Sequence, residues 1–414
     1  MTGTREEAGS EQRPDDHLPA SRHRYLTGLS AVALVAVSAA VAQSFGRFTY
    51  GVLLPAIRDD LGLSNTLAGS LATLNVGAYL AGTMAVAAAA SRFRLLAIMR
   101  FGLVLSTMGL LLSALAPGAL VLGAAQFLSG FGGACTWIPA PVVAADAMAP
   151  EKRSVAVGLM GSGIGLGVVF TGQLSGFVRS TLGDESWRTV YLIQGLIAVV
   201  VLLGVITLIG HRQERTSSRA GIGGFSALRR MPGWLPLTAA YTSFGLMYLL
   251  VVAFLTTKLE DDNGWTSSRA ALAFTLLGVA MVFGGPTFMA VTSRIGARLA
   301  MTLAFGAWGI MALTILPGWF LPSLGSSLAL GLLFAGVPSM ITLYVVNNTT
   351  HDSYGPSFAA ATLAFGVAQT LSPQLGGLIA DLTGSFTTVF VLSAFFAVTG
   401  LVAALQLPRH RAIV

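Results

Sequence analysis

A single cation stands where a charge is hardest to keep. Arg47 lies inside the apolar run 27–57, past its middle and displaced along the run by roughly 7 Å at a helical rise. A guanidinium in hydrocarbon costs at least about 2.5 kcal/mol on insertion scales, so it needs water or a partner. If the run is helical, Gln43, Arg47 and Tyr50 fall at i, i+4 and i+7 and share one face. A polar face on an apolar helix points at a cavity. A guanidinium is always charged and pairs bidentately with carboxylates, so this face is a candidate anchor for an anionic solute. The run 233–257 adds Tyr241 and Tyr248, also seven apart, as candidates for the same cavity. Two other readings stay open: Arg47 braces neighbouring helices, and the tyrosines are interface aromatics.

Prolines supply a second kind of candidate. The run 118–147 contains Trp137, Pro139 and Pro141, and the run 322–349 contains Pro338. Helix interruptions at matching places in two halves of a membrane protein point to a binding site, and proline frees a carbonyl that can bind water or solute. Trp137 joins the candidate binding residues. The prolines are equally expected to serve as kinks for bending. The polar residues Asn75, Tyr79, Gln173, Gln194, Gln369 and Gln374 are expected mainly to bond between helices, at under about 2 kcal/mol each.

The acids inform by their placement. None of the 17 Asp and Glu falls in the middle of an apolar run, so no buried-carboxylate proton relay is visible. Asp146 ends one run, and its expected partner is Arg92 or Arg94. All five histidines lie outside the apolar runs, and the one cysteine, Cys135, excludes an intrachain disulfide or a cysteine metal cluster. No catalytic residue, metal or cofactor is expected, and the chain is not read as an enzyme.

The elements that must hold these residues follow from composition. Of the 414 residues, 54% are hydrophobic and only 10% are charged. A soluble domain carries about a quarter charged residues, so this apolar surface must face lipid. About 20 apolar residues cross a bilayer. Twelve runs reach that length: 27–57, 66–90, 95–116, 118–147, 154–180, 187–210, 233–257, 267–290, 297–316, 322–349, 355–382 and 386–407. With the tails and the loops after even-numbered runs taken as one side, 18 of the 24 Lys and Arg fall there. That bias places both termini in the cytoplasm. It also accounts for the net charge of +7 without invoking nucleic acid. Residues 1–25 read as a disordered tail, 26–210 as a first six-helix bundle, 211–232 as a basic linker, 233–408 as a second bundle and 409–414 as a short tail.

The two bundles repeat. Ser91-Arg92-Phe93 recurs as Ser293-Arg294-Ile295, at an offset of 202. Gly172-Gln173-Leu174-Ser175-Gly176 recurs as Pro373-Gln374-Leu375-Gly376-Gly377, at an offset of 201. Many transporters are built from such repeats. The layout resembles the major facilitator superfamily. Ser293-Arg294-Ile295-Gly296-Ala297-Arg298 is similar to the basic part of the motif that family carries after its second span, and Ser91-Arg92-Phe93-Arg94 is a shorter version. Serine stands in both where the family usually has aspartate. Gln126 stands where many proton-driven relatives have arginine. Gly46-Arg47-Phe48-Thr49-Tyr50-Gly51-Val52-Leu53-Leu54-Pro55 and the glycines of 161–167 resemble the YbfB/YjiJ-like bacterial branch.

The resemblance implies an all-α membrane protein with twelve helices in two pseudo-symmetric bundles, working as a carrier by alternating access in the bacterial inner membrane. It implies a central cavity lined by the first, fourth, seventh and tenth helices. Arg92, Arg94, Asp146, Arg294 and Arg298 are then candidates for the inner gate. The expected partners are the lipid bilayer and a small organic solute, anionic on the strength of Arg47, with the carrier a monomer. The rival expectation is an exporter with a broad aromatic and methionine-lined cavity (Trp137, Met160, Met247, Tyr248, Phe283). A non-transporting sensor ranks below both, because the longest internal loop is short.

Overall fold

A computed structural model describes residues 26–210 and 224–408. Twelve long helices cover the twelve apolar runs. They are α1 (Leu29–Leu61), α2 (Asn65–Ala89), α3 (Leu95–Ala114), α4 (Ala119–Asp146), α5 (Arg153–Leu182) and α6 (Trp187–Leu208). The second half holds α7 (Trp234–Asp262), α8 (Ser267–Ile295), α9 (Ala297–Thr314), α10 (Phe320–Asn348), α11 (His351–Thr383) and α12 (Thr387–Leu405). No strand occurs among the described residues. A short helix, Gly224–Arg230, occupies part of the expected linker. The expected tails 1–25 and 409–414, and linker residues 211–223, lie outside the described residues.

Eleven of the twelve are long and apolar enough to cross a membrane. The twelfth, α11, has the length, at 33 residues. Its middle is diluted by Gln369, Ser372, Pro373 and Gln374, which suits a helix that faces a partner bundle more than lipid. Helix ends are set locally. Gly62 closes α1 in the left-handed region at φ 59°, and Ser64 caps α2 by accepting from the Leu67 amide at 3.1 Å. Arg100 of α3 donates to the carbonyls of Val205, Ile206 and Ile209, so a cation covers the exposed carbonyls where α6 ends.

Two departures from regular helix matter. Residues Ala40–Phe48 of α1 form a π-helical stretch that carries both Gln43 and Arg47. The wider turn keeps Gln43 and Arg47, four apart, on nearly one face, and rotates Tyr50, three residues further on, relative to its place on an α-helical wheel. In α4 the chain breaks at Ile138 and Pro139 and restarts as Ala140–Asp146. The matching break expected in α10 is absent: α10 runs without interruption through Pro338. Pro139 and Pro141 remove two amide donors within one turn of α4, whereas Pro338 removes one, which a helix can absorb.

The halves meet along two seams related by the repeat, α5 against α8 and α11 against α2. Glycine permits the closest approaches. A Cβ at Gly165 or Gly172 of α5 would strike Val282 or Thr275 of α8, and one at Gly377 of α11 would strike the Asn65 carbonyl of α2. The same faces continue to Gly158, one heptad before Gly165, and to Gly355, two eleven-residue steps before Gly377. A Cβ at either of these meets nothing within 4 Å. Both seams are therefore closed at the end away from Leu26 and Pro408, the far end, and open at the near end.

Candidate functional site

Arg47 leaves its own half and reaches the other. Its Nη2 donates to the Tyr248 hydroxyl of α7 at 2.8 Å and to Gln369 Oε1 of α11 at 2.9 Å. The Tyr248 hydroxyl in turn donates to Gln369 Oε1 at 2.6 Å. The Tyr79 ring of α2 lies 5.5 Å from the guanidinium carbon, within cation–π range. The guanidinium Nε is buried and has no hydrogen-bond partner. Among the described residues, no Asp or Glu forms an ion pair with Arg47. The charge is thus held only by a phenol, an amide and a ring face, all neutral.

The other candidates divide. Tyr248 shares the site. Tyr241, two turns earlier on α7, stacks on Phe365 of α11 at 4.4 Å and 14°. Gln43 is buried and turns to the Gly133 carbonyl of α4 at 3.4 Å. Tyr50 is also buried, and its hydroxyl donates to the Ala68 carbonyl of α2 at 2.9 Å. Gln43 and Tyr50 thus fasten α1 to its own half while Arg47 points across. A small chamber bounded by Arg47, Tyr50, Asn75, Gln126 and Val252 lies beside them, with room for about one water. Trp137 is half-buried against the packed core, next to the break in α4. For the rival broad cavity, Met160 and Met247 are buried and Phe283 is exposed.

Sequence reasoning ranked Gln369 and Tyr79 as ordinary interhelical residues, yet both touch Arg47 or its ring shell. Their only sequence signal was polarity on an apolar run. The phenylalanines around Tyr248 gave no signal at all. Phe244 stacks on Tyr248 at 5.1 Å and 17°, Phe365 at 6.0 Å and 16°, and Phe334 of α10 meets its ring edge-on at 5.2 Å and 65°. Asn75, Gln194 and Gln173 bond between helices as expected, whereas the Gln374 side chain is exposed and its backbone amide donates to Thr73 of α2. Asn75 donates to the Gly46 and Gln126 carbonyls, Gln194 bonds Thr49 and Thr171, and Gln173 reaches Thr275 of α8.

The candidate gate residues lie at the near end. Arg92, Arg94 and Arg294 are exposed there and Arg298 is half-buried. Asp146 forms an ion pair with Arg153 of α5 at 3.8 Å, inside the first half. The expected pairing with Arg92 or Arg94 is not the ion pair observed, because the break in α4 delivers Asp146 to the start of α5.

The far end carries the charge-bearing contacts between halves, which the sequence had given no role. Arg179 of α5 holds Glu260 of α7 with both Nη atoms, at 2.8 and 2.7 Å, and Asp184 with Nε at 2.7 Å. Arg58 of α1 pairs with Asp261 of α7. Asp381 of α11 accepts from the amides of Asn65 and Thr66, at 3.0 and 2.7 Å, at the start of α2. A carboxylate at a helix N-terminus is favoured by the unpaired amides there. The first half thus contributes the cations and the second half the anions.

Comparison with known proteins agrees with this architecture. Residues 24–405 match the family model described as "Uncharacterised MFS-type transporter YbfB". The uncharacterized MFS-type transporter YfhI of Bacillus subtilis (strain 168) is 23% identical over 300 residues, covering 70% of this chain and 72% of that one. Among solved structures, the nucleoside transporter NupG superposes with a TM-score of 0.75 at 14% identity, over 91% of this chain and 97% of that one. A bacterial homologue of the human lysosomal transporter Spinster, in an inward-facing and unoccupied conformation, superposes with a TM-score of 0.73 at 15% identity, over 93% and 98%. The chain therefore belongs to the YbfB-like family of the major facilitator superfamily and is a multi-pass membrane transporter.

Proposed function

We propose that this protein is a secondary carrier that moves a small organic anion across the bacterial cytoplasmic membrane by alternating access, with both termini cytoplasmic. One observation carries the reading: Arg47 sits between the halves, in contact with both, with a buried unpartnered Nε and no carboxylate neighbour. A desolvated guanidinium held by neutral groups alone is an anion site, since a carboxylate would engage the unpartnered Nε directly, and Nη2 as a fork once it releases Tyr248 or Gln369. The seams, closed at the far end and open at the near end, support an inward-facing arrangement in which the anion meets Arg47 from the cytoplasm. The contacts from Arg47 to Tyr248 and Gln369 tie the site to the motion, because rocking the halves must rearrange them.

The test is a thermal-shift screen of the purified protein against organic acids, followed by uptake into proteoliposomes of the acids that stabilise it. Arg47→Ala should abolish both the shift and the uptake. Arg47→Lys should retain charge but lose the fork and bind more weakly, by roughly tenfold or more for loss of a charge-assisted hydrogen bond. Unchanged uptake in Arg47→Ala would sink the anchor role. Drug resistance that persists without Arg47 would instead favour the exporter reading.

A further inference from the structure

The surroundings of Arg47 narrow the anion further, granted the anion-carrier reading above. Four rings from α7 and α11 lie nearly parallel. Tyr241 and Phe365 are inclined by 14°, Phe244 and Phe365 by 15°, Phe365 and Tyr248 by 16°, and Phe244 and Tyr248 by 17°. The ring at the end of this shelf is Tyr248, whose hydroxyl receives the hydrogen bond from Arg47. Phe334 closes the shelf edge-on, contacting Tyr248 at 5.2 Å and Phe48, the residue after Arg47, at 5.8 Å. Tyr241, Phe244 and Tyr248 are buried, while Phe365 and Phe334 are only half-buried and keep ring surface free. A charge anchor and a free aromatic surface therefore lie within one ring's reach of each other.

Charge sets the second constraint. The other deeply buried cations among the described residues, Arg179 and Lys258, are matched by Glu260 and Asp262 at the far end. Arg47 alone is unmatched in the middle of the bundle. One guanidinium neutralises one charge, and a second anionic group in the same low-dielectric space would be buried unpaired.

We propose that the carrier takes monoanionic aromatic carboxylates, with the carboxylate on Arg47 and the ring extending the shelf formed by Phe365 and its neighbours. A flat ring gains quadrupole-matched stacking there, whereas an aliphatic body of the same size gains only buried area.

The test uses the purified full-length protein and four probes: benzoate, cyclohexanecarboxylate, benzamide and isophthalate. Binding is measured by calorimetry. Benzoate should bind roughly 2- to 10-fold tighter than cyclohexanecarboxylate, the range that ring–ring pairing supplies. Benzamide and isophthalate should each bind at least about tenfold more weakly than benzoate, having no charge or one too many. Phe365→Leu, at a half-buried position, should weaken benzoate more than cyclohexanecarboxylate and so erase the preference for benzoate; Phe334→Leu repeats the test if the first variant folds poorly. Equal affinity for benzoate and cyclohexanecarboxylate, or a preference that survives both variants, overturns this proposal and leaves the anion carrier standing. Benzamide binding as tightly as benzoate, or no binding by either monoacid, overturns the anion carrier as well.

Discussion

Breaking the Arg179–Glu260 contact should open the far end of the protein. Alternating access requires that end to separate, and this pair exists only while it is closed. The side chains are almost fully enclosed, 2% exposed for Arg179 and 11% for Glu260, and both guanidinium Nη atoms are engaged. Asp184, the other partner of Arg179, is 59% exposed, so its loss is largely made good by water. Truncating Arg179 strands the Glu260 carboxylate in the closed state alone, a penalty of about 3 kcal/mol or more for a buried pair missing one member. That moves the closed-to-open ratio by about two powers of ten. Spin labels at Leu182→Cys and Leu382→Cys, exposed positions on opposite halves, report the far-end distance in a Cys135→Ala background. Arg179→Ala should shift the distance distribution to longer values. Glu260→Gln should shift it less, since Asp184 still holds the arginine, and the exchange Arg179→Glu with Glu260→Arg should restore it in part. An unchanged distribution in a monodisperse Arg179→Ala protein would refute the latch.

Three further outcomes follow from the packing. Gly377→Val drives a side chain into the Asn65 carbonyl and should both lower the Tm and lengthen the same far-end distance, whereas Gly355→Ala, on the same face where nothing lies within 4 Å, should do neither. Tyr50→Phe removes one buried hydrogen bond to the Ala68 carbonyl, so it should destabilise by about 1 kcal/mol in thermal unfolding and leave anion affinity within about twofold. Asp381→Asn weakens the charged contact with the start of α2 and should loosen far-end closure by roughly 0.5–1 kcal/mol, an effect that added salt diminishes in the wild type and not in the variant.

The twelve spans were legible because a membrane imposes a length, and eleven helices meet it on composition alone. The exception, α11, was legible as a span but not as the seam helix it is, since Gln369 bonds Tyr248 of α7, Ser372 donates to the Leu246 carbonyl of α7, and the Gln374 amide donates to Thr73 of α2. Arg47 stood out because an unmatched charge in an apolar run has few explanations. Its hydrogen-bond partners did not follow from helical spacing, because they lie on α7 and α11, while Gln43 and Tyr50 bond within the first half. The two prolines of α4 broke their helix and the one of α10 did not, a difference of dose that residue type alone hides.

Composition, hydropathy period and the 202-residue offset determined the fold class, the number of spans and Arg47 as the charge unmatched within its own apolar run, since each is a property of the chain read locally or against its own repeat. The partners of that residue were decided only by tertiary structure. Tyr248 and Gln369 lie 201 and 322 residues from Arg47 and meet it because α1, α7 and α11 converge between the halves. The far-end contacts have the same origin. Arg58 and Arg179 look like stray charges at helix ends until the second half brings Asp261 and Glu260 against them. A sequence records which charges are unmatched within their own helices, and packing two bundles together decides what matches them.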